Sequence, residues 1–391
     1  MRVLFLSAWF PHPPSNGSRL RVNALLRALA RQHEVQLLAF ADQADVDPTA
    51  PAMRELCTSL HVFPRIPFDP SSGRLAWLSL QPRSLATMFS APMAHAVAHC
   101  ARTCDVVVAS QLACAAYAPW FGEAPALFEE VELGALHGQV AQGPAIARWR
   151  TSLMWAKHRR YLRRLLRRFA ACTVVSEPER ALLATVVDDR RVIHVLPNGV
   201  VVPDRDGPSA PRPDTVIFTG SFRYHPNHEA MRWFVAEVWP RVLRQRPTAR
   251  LVITGDHGDL PLPPAQQVER TGLVDDVRPL LGASWLAVAP IFAGGGTRLK
   301  ILESMAAGTP VVATSKGAEG IDAIAGEQLL IADDPAGFAA HVVRLLTDAA
   351  LRARLSSAGR RLVAERHDWR LLGPRFEALV RSIAEHASPR R

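Results

Sequence analysis

Runs of five to eight apolar residues recur along this chain. They are separated by stretches in which apolar residues return every three or four positions. Val3 to Trp9 is the first run. It is followed by a Pro-rich loop ending Ser-Asn-Gly, then by Leu20, Ala24, Leu25, Ala28 and Leu29 at helical spacing, then by a second run, Val35 to Phe40. A continuous apolar run predicts a parallel strand buried on both faces, and the 3.6 period between runs predicts a helix packed on one side. The pattern continues with strands predicted at Asp105 to Ser110, Leu127 to Glu132, Cys172 to Ser176 and Val192 to Val200. It restarts at Thr215 to Ser221 and Leu251 to Gly255, and runs on through Leu286 to Ile291, Pro310 to Thr314 and Leu329 to Ile331, with helices from Pro335 to Glu365. Strand and helix in strict alternation predict an α/β fold with doubly wound parallel sheets. The restart after the Pro-Asn-Gly turn at 197–199 and the Pro-rich residues 203–213 predicts two domains, 1–200 and 201–391. Residues 42–72, rich in Pro, Asp and Ser, read as a surface excursion.

Composition narrows the class. The 391 residues are 48% hydrophobic and 21% charged, a globular balance with enough chain for two full cores. No apolar run reaches the ~18 residues that a membrane-spanning helix needs. The five cysteines are odd in number and unevenly spaced, which suits a reducing cytoplasm. The net charge is +10, and of 46 basic residues only Lys157, Lys300 and Lys316 are lysines. Where the charge sits matters more than its sum. It concentrates in Arg148 to Phe169, which holds nine Arg or Lys and no acid, with Arg160, Arg164 and Arg168 at helical spacing. Leu162, Leu165, Leu166 and Phe169 form an apolar side, and Trp149, Trp155 and Tyr161 are expected at its edges. A basic amphipathic helix of this kind suits an anionic membrane surface. A nucleic-acid partner is disfavoured, because no aromatic-interleaved recognition motif accompanies the charge.

The densest chemistry lies in Ala289 to Gly320, APIFAGGGTRLKILESMAAGTPVVATSKGAEG. A strand, the glycines Gly294, Gly295 and Gly296, and a helix start at Thr297 predict an anion site. Glycine lets the backbone approach closely, and the first amides of a helix have no intrahelical acceptor. Thr297 is the expected N-cap. Arg298 and Lys300 in the first turn oppose the helix dipole unless an anion lies beside them. Glu303 follows on the same face, roughly 9 Å along the helix from Thr297, about the reach from a diphosphate to the ribose of the same nucleotide. A carboxylate there can accept hydrogen bonds from both ribose hydroxyls.

This segment resembles the donor-binding segment of group 1 glycosyltransferases (family 4), retaining enzymes of the GT-B fold. Their signature is E-x7-E; Glu303 matches the second Glu, while Gly295 stands at the first, which the family associates with the transferred sugar. The GGGT variant resembles a subgroup acting in bacterial polysaccharide assembly. The stretch 10–40 resembles the start of the same enzymes, with Gly17 matching a glycine near the donor phosphates, and the PNGV at 197–200 resembles the hinge between the two domains. The resemblance implies two Rossmann-like domains facing across a cleft, with the last helix crossing back to the first. It implies transfer of a sugar from a nucleotide-sugar donor to a hydroxyl of a glycan or lipid-linked glycan, with no cofactor and no required metal. It names Arg298, Lys300 and Glu303 as catalytic candidates. The candidate donor-binding residues are Gly17, Gly220, Gly294, Gly295, Gly296, Thr297 and Glu319. Glu129 and Glu132, in the LFEEVE strand end, are candidate acceptor or sugar contacts. Asn227 is expected to cap its helix, and Ser221 and Pro226 stand where relatives place cationic phosphate ligands, with Arg223 available instead. Two D-x-D sequences, Asp45 to Asp47 and Asp204 to Asp206, lie in Pro-flanked loops and are weak metal candidates. The opposing expectation, from Gly295 and from Glu129 standing where relatives have a cleft His, is a non-catalytic sugar-nucleotide sensor or scaffold.

Overall fold

A computed structural model describes residues 1–42, 47–48, 50–65, 89–140, 145–187, 192–204, 212–294 and 297–387. The chain divides into two compact units, Met1–Pro197 with Leu372–Arg391, and Asn198–Leu371.

Unit 1 is built on a sheet of seven parallel strands. They are β1 (Arg2–Ser7), β2 (Glu34–Ala41), β3 (Ser59–Pro64), β4 (Val106–Ser110), β5 (Ala126–Glu129), β6 (Ala171–Val174) and β7 (Ile193–Val195), in the order β3-β2-β1-β4-β5-β6-β7. All five residues after Arg2 in β1 are buried, as are all of β4, β5 and β6, so the apolar runs are strands covered on both faces. Leu4, Leu6, Val107, Phe128 and Cys172 meet Met93, Val97 and Leu162 of the covering helices, and Phe169 just past one of them, in one core. Each such side chain contributes about 1.5–3 kcal/mol on burial. The first helix, Gly17–Ala30, starts where Asn16 Oδ1 accepts from Arg19 N (3.0 Å), an ordinary side-chain cap. Strand β3 lies inside the stretch the sequence marks as a surface excursion. It is an edge strand whose residues are mostly half-buried, and such a strand leaves little apolar signal.

Unit 2 repeats the plan with six parallel strands: β8 (Arg212–Thr219), β9 (Arg250–Thr254), β10 (Val268–Gly272), β11 (Ser284–Ala289), β12 (Val311–Ala313) and β13 (Leu330–Ile331), ordered β10-β9-β8-β11-β12-β13. Phe218, Phe234, Trp239, Ile253 and Phe338 fill the core on one face, and Ile217, Ile301, Leu302, Met305 and Val363 that on the other. Trp239 is fully buried and its Nε1 donates to Gln266 O (2.9 Å), so its one polar atom is satisfied. The Pro-Asn-Gly turn is pinned within this unit. Val200 N donates to His367 O (2.8 Å), Trp369 N to Val200 O (3.1 Å), and His367 Nδ1 lies 2.9 Å from Asn198 O.

In both sheets the strand order reverses once, between β1 and β4 and between β8 and β11. Ligands of doubly wound sheets bind outside the carboxyl ends of the strands at that reversal.

Candidate functional site

Strand β8 ends at Thr219, and the next residue, Gly220, turns with φ +149°. A Cβ there would lie 2.7 Å from Asn227 Nδ2 and 2.8 Å from Lys300 Nζ, so it would push both side-chain ends out of this position. Gly255, after β9, has φ +131°, and its Cβ would lie 2.6 Å from Gly220 O. Two glycines on adjacent strand ends thus rest against each other, and the missing side chains make the room that Lys300 and Asn227 occupy.

Asn227 does not cap its helix. The helix runs His225–Trp233 with Tyr224 at the capping position, and Asn227 is buried inside its first turn. Its Nδ2 donates to Ser221 O (2.8 Å) and its Oδ1 accepts from Lys300 Nζ (2.8 Å). The ammonium also sits 4.0 Å from the Phe218 ring centroid. Among the described residues one hydrogen bond serves the three N–H groups of the ammonium, so Lys300 keeps donors for a ligand. Burial pushes its pKa down to about 7; the Arg298 charge lowers it further and Glu303 opposes the shift.

The helix carrying Lys300 runs Leu299–Ala306 with Arg298 at the capping position. Thr297 is therefore not the N-cap. Its residue is buried, and its hydroxyl has no hydrogen-bond partner among the described residues. Arg298 is buried and donates through Nη2 to Ala293 O (3.1 Å). Gly294, φ +95°, lies against Tyr224: a Cβ there would be 2.1 Å from the tyrosine hydroxyl and 3.3 Å from Arg298 Nη2. Gly295 and Gly296 lie outside the described residues, as do Asp45 and Asp206 of the two D-x-D sequences. Glu303 is half-buried one turn along from Lys300. Burial raises its carboxyl pKa, Lys300 opposes, and Asp276 adds to the rise beside its own partner Arg278 (2.8 Å).

The second glycine loop packs rather than opens. Gly317 N donates to Thr314 Oγ1 (3.0 Å), and a Cβ at Gly317 would lie 2.5 Å from Ala289 O. Glu319 is exposed and ion-paired with Lys316, so the structure places it on the surface with its charge already matched. Arg223, the expected substitute phosphate ligand, is paired with Asp256.

In unit 1, Gly17 is the exposed first residue of its helix. Glu129 departs from expectation: it is fully buried, Oε1 accepting from Arg21 Nε (2.7 Å) and Oε2 from Ser110 Oγ (2.7 Å). Arg21 in turn donates to Leu196 O (3.1 Å) and Pro197 O (3.2 Å). A carboxylate with both oxygens engaged inside the core does not face a substrate; it ties β4, β5 and the chain after β7 together. Glu132 is exposed. Of the three LFEEVE carboxylates the sequence singles out Glu129 and Glu132 rather than Glu130, and nothing in it marks Gln111. Glu130 and Gln111 each directly follow a strand end, and both take left-handed backbone, φ +59° and +66°. Such strain costs about 1–3 kcal/mol per residue and gathers at functional sites. Gln111 Nε2 donates to Glu130 Oε2 (2.9 Å). Burial, with Glu129's charge adding and Arg21 opposing, raises Glu130 to about 7.

The basic helix runs Ala145–Leu165 and ends in a 3-10 turn at Leu166–Arg168. Trp155 packs edge-on against His137 (5.1 Å), and both it and Tyr161 are half-buried against the margin of the core, at the edges of the apolar side as expected. Trp149, Leu153 and Met154 are exposed, next to exposed Arg148, Arg150, Arg159, Arg160, Arg164, Arg167 and Arg168.

Comparison with known proteins places both units. Residues 16–199 match the family described as Glycosyl transferase 4-like domain, and residues 213–348 match Glycosyl transferases group 1. HepE from Anabaena, crystallised with UDP and glucose, superposes with a TM-score of 0.69 at 15% identity, covering 98% of this chain and 100% of HepE. Sucrose-phosphate synthase from Thermosynechococcus elongatus gives 0.69 at 18% identity, over 99% of this chain and 100% of the synthase. WaaG, a glycosyltransferase involved in lipopolysaccharide biosynthesis, gives 0.65 at 15%, over 97% and 99%. An uncharacterized 44.6 kDa protein in the cps region of Klebsiella pneumoniae is 27% identical over 139 residues, 33% of this chain and 36% of that relative's length.

Proposed function

The chain belongs to the group 1 glycosyltransferases and has the GT-B architecture of two doubly wound units. From that premise we propose that it transfers a sugar from a nucleoside-diphosphate-sugar donor to a hydroxyl of a glycan or lipid-linked glycan, with retention at the anomeric carbon. The observation that carries the reading is the meeting of Gly220, Asn227 and Lys300 at the strand-order reversal of unit 2, with Glu303 one turn further on. A partly desolvated ammonium with unused donors, beside a backbone cleared of side chains, is suited to a diphosphate. It stabilises the negative charge that grows on the departing diphosphate as the glycosidic bond breaks. Asn227 orients the ammonium, Arg298 adds positive charge, and Glu303 takes the ribose hydroxyls. With those cations the donor needs no divalent metal.

HepE, whose fold this chain shares, is known with UDP and glucose, which makes UDP-glucose the first donor to try. The relative in a cps region and the likeness to WaaG support a place in bacterial surface-polysaccharide assembly. We further propose that the enzyme works on the cytoplasmic membrane face. Among the described residues no helix is long and apolar enough to cross a membrane. The exposed Trp149, Leu153 and Met154 with their arginine rim suit an anionic surface, apolar tip in the acyl boundary and guanidinium groups on the phosphates.

The test is donor turnover across a panel of nucleotide sugars, with and without chelator, and proton NMR of the product anomer. Turnover that survives chelation with a retained anomer is the expected outcome. Binding of a donor without turnover on any acceptor would favour the sensor reading that Gly295 motivates, and loss of activity restored by a divalent cation would overturn the metal-free mechanism.

A further inference from the structure

The strand-order reversal of unit 1 lies between β1 and β4. What gathers there is not used by the donor reading. Trp9, two residues past β1, donates through Nε1 to Gln111 Oε1 (3.1 Å), and Gln111 passes the chain to Glu130, so the ends of β1, β4 and β5 are linked. Arg65, the residue after β3, lays its guanidinium 3.7 Å from the Trp9 ring centroid and donates to Ala8 O. Arg19 comes from the first turn of the helix Gly17–Ala30. It is 8% exposed, donates through Nη1 to Ser15 Oγ (3.3 Å), and its buried Nε has no hydrogen-bond partner. Arg65 is held below its usual pKa, first by burial and also by the charge of Arg19, with Asp42 opposing. Among the described residues neither arginine forms an ion pair. A guanidinium almost wholly desolvated with an unused N–H, within electrostatic reach of a second, is costly as it stands. An oxyanion held in charge-assisted hydrogen bonds offsets that cost, and guanidinium geometry matches phosphate and carboxylate oxygens.

We propose that this edge of unit 1 binds an oxyanion carried by the acceptor, a phosphate or a carboxylate, through Arg19 and Arg65, while the Gln111–Glu130 pair meets the acceptor's hydroxyls. The inference rests on the reading that the diphosphate of the donor is served by unit 2. It makes the acceptor an acidic molecule, a phosphate-linked lipid or an acidic sugar, and excludes a neutral glycan. Trp9 holds Arg65 by its face and Gln111 by its edge, so it is a positioning residue.

The full chain, saturated with UDP so that the donor site is filled, is titrated calorimetrically with inorganic phosphate, with glucuronate and with glucose. Phosphate or glucuronate should bind and glucose should not. Arg19→Gln and Arg65→Gln should each weaken the anion at least about tenfold, with UDP affinity changed less than about twofold. Displacement of phosphate by phosphatidylcholine vesicles containing phosphatidate assigns the oxyanion to a lipid headgroup; no displacement assigns it to a soluble acidic sugar. If Arg19→Gln fails to fold, Arg65→Gln, on the half-buried stack, carries the test. The inference is overturned if no anion binds the UDP-loaded protein up to about 50 mM, if neither variant alters anion binding, or if the variants weaken UDP as much as phosphate. Failure of the wild type to bind any nucleotide would instead sink the functional reading and leave the anion result standing.

Discussion

Raising the pH from 6 to 8 should weaken donor binding about tenfold through Lys300 alone. With a pKa near 7 in the free protein, its ammonium is about 90% protonated at pH 6 and about 10% at pH 8. A sugar diphosphate keeps its two negative charges across this range, and it favours the protonated lysine. The complex therefore holds its proton to higher pH, and binding above pH 7 must first restore it. That requirement costs about 1.4 kcal/mol at pH 8, a factor of ten in affinity. Calorimetry in buffers of different ionisation enthalpy should show uptake of close to one proton per donor bound at pH 8 and close to none at pH 6. Asn227→Asp puts a carboxylate where the amide oxygen now lies 2.8 Å from Nζ, so it should raise the lysine pKa and move the loss of affinity upward. The same group predicts the opposite slope for the unliganded fold. Unfolded, the lysine keeps its proton to about pH 10.4. Folding therefore releases a proton between pH 7 and 10.4, and stability rises with pH, by about 1.4 kcal/mol from pH 6 to 8. Lys300→Met should lose both slopes. A flat affinity profile with no proton uptake in the wild type would refute the claim that this half-buried ammonium meets the diphosphate.

Glu303→Gln keeps the shape of the ribose contact and removes its charge. Donor affinity should fall roughly 10- to 150-fold, the equivalent of about 1.5–3 kcal/mol, and unchanged affinity in calorimetry would remove Glu303 from the site. Glu129→Gln takes from the buried Arg21 guanidinium its nearer counter-charge and leaves only the more distant Glu130, 3.9 Å away. Stability should drop by about 3–5 kcal/mol with little change in donor affinity per folded molecule; a variant that melts like the wild type but has lost acceptor turnover would return Glu129 to the substrate. Replacing Arg160, Arg164 and Arg168 together by Gln should lower affinity for anionic vesicles by about 3 kcal/mol in co-sedimentation, at about 1 kcal/mol per cation, and wild-type binding should weaken as salt rises. Wild type that ignores anionic vesicles at low salt would make the helix ordinary structure.

The buried parallel strands were legible because burial on both faces writes an unbroken apolar run, whatever the strand's neighbours. The helix Leu299–Ala306 was legible from Leu299, Leu302 and Met305, as was the adjacency of Lys300 and Glu303, since three residues on a helix is a fixed distance. The half-buried edge strand β3 was not, since without a buried face it leaves no run to read. The helix start was misplaced by the preference of threonine for capping, which an arginine with extended backbone overrode.

The sequence by itself determined which segments must be covered and therefore the doubly wound plan, because apolar periodicity is a local record of burial. It also determined which short spacings carry chemistry. Only the tertiary structure decided which polar groups meet across distance. Lys300 finds Asn227 from 73 residues away, and Arg21 finds Glu129 from 108, one pairing that orients a charge toward a ligand and one that locks a charge inside the core. The same residue types stand in both pairs of cation and acceptor, and no local pattern distinguishes the roles. Burial and the second oxygen's partner do, and those exist only once the sheet has brought the strand ends together. The left-handed turns at Gln111 and Glu130 belong to the same class: backbone strain at a non-glycine residue is imposed by the packing around it and has no signature in the residue itself.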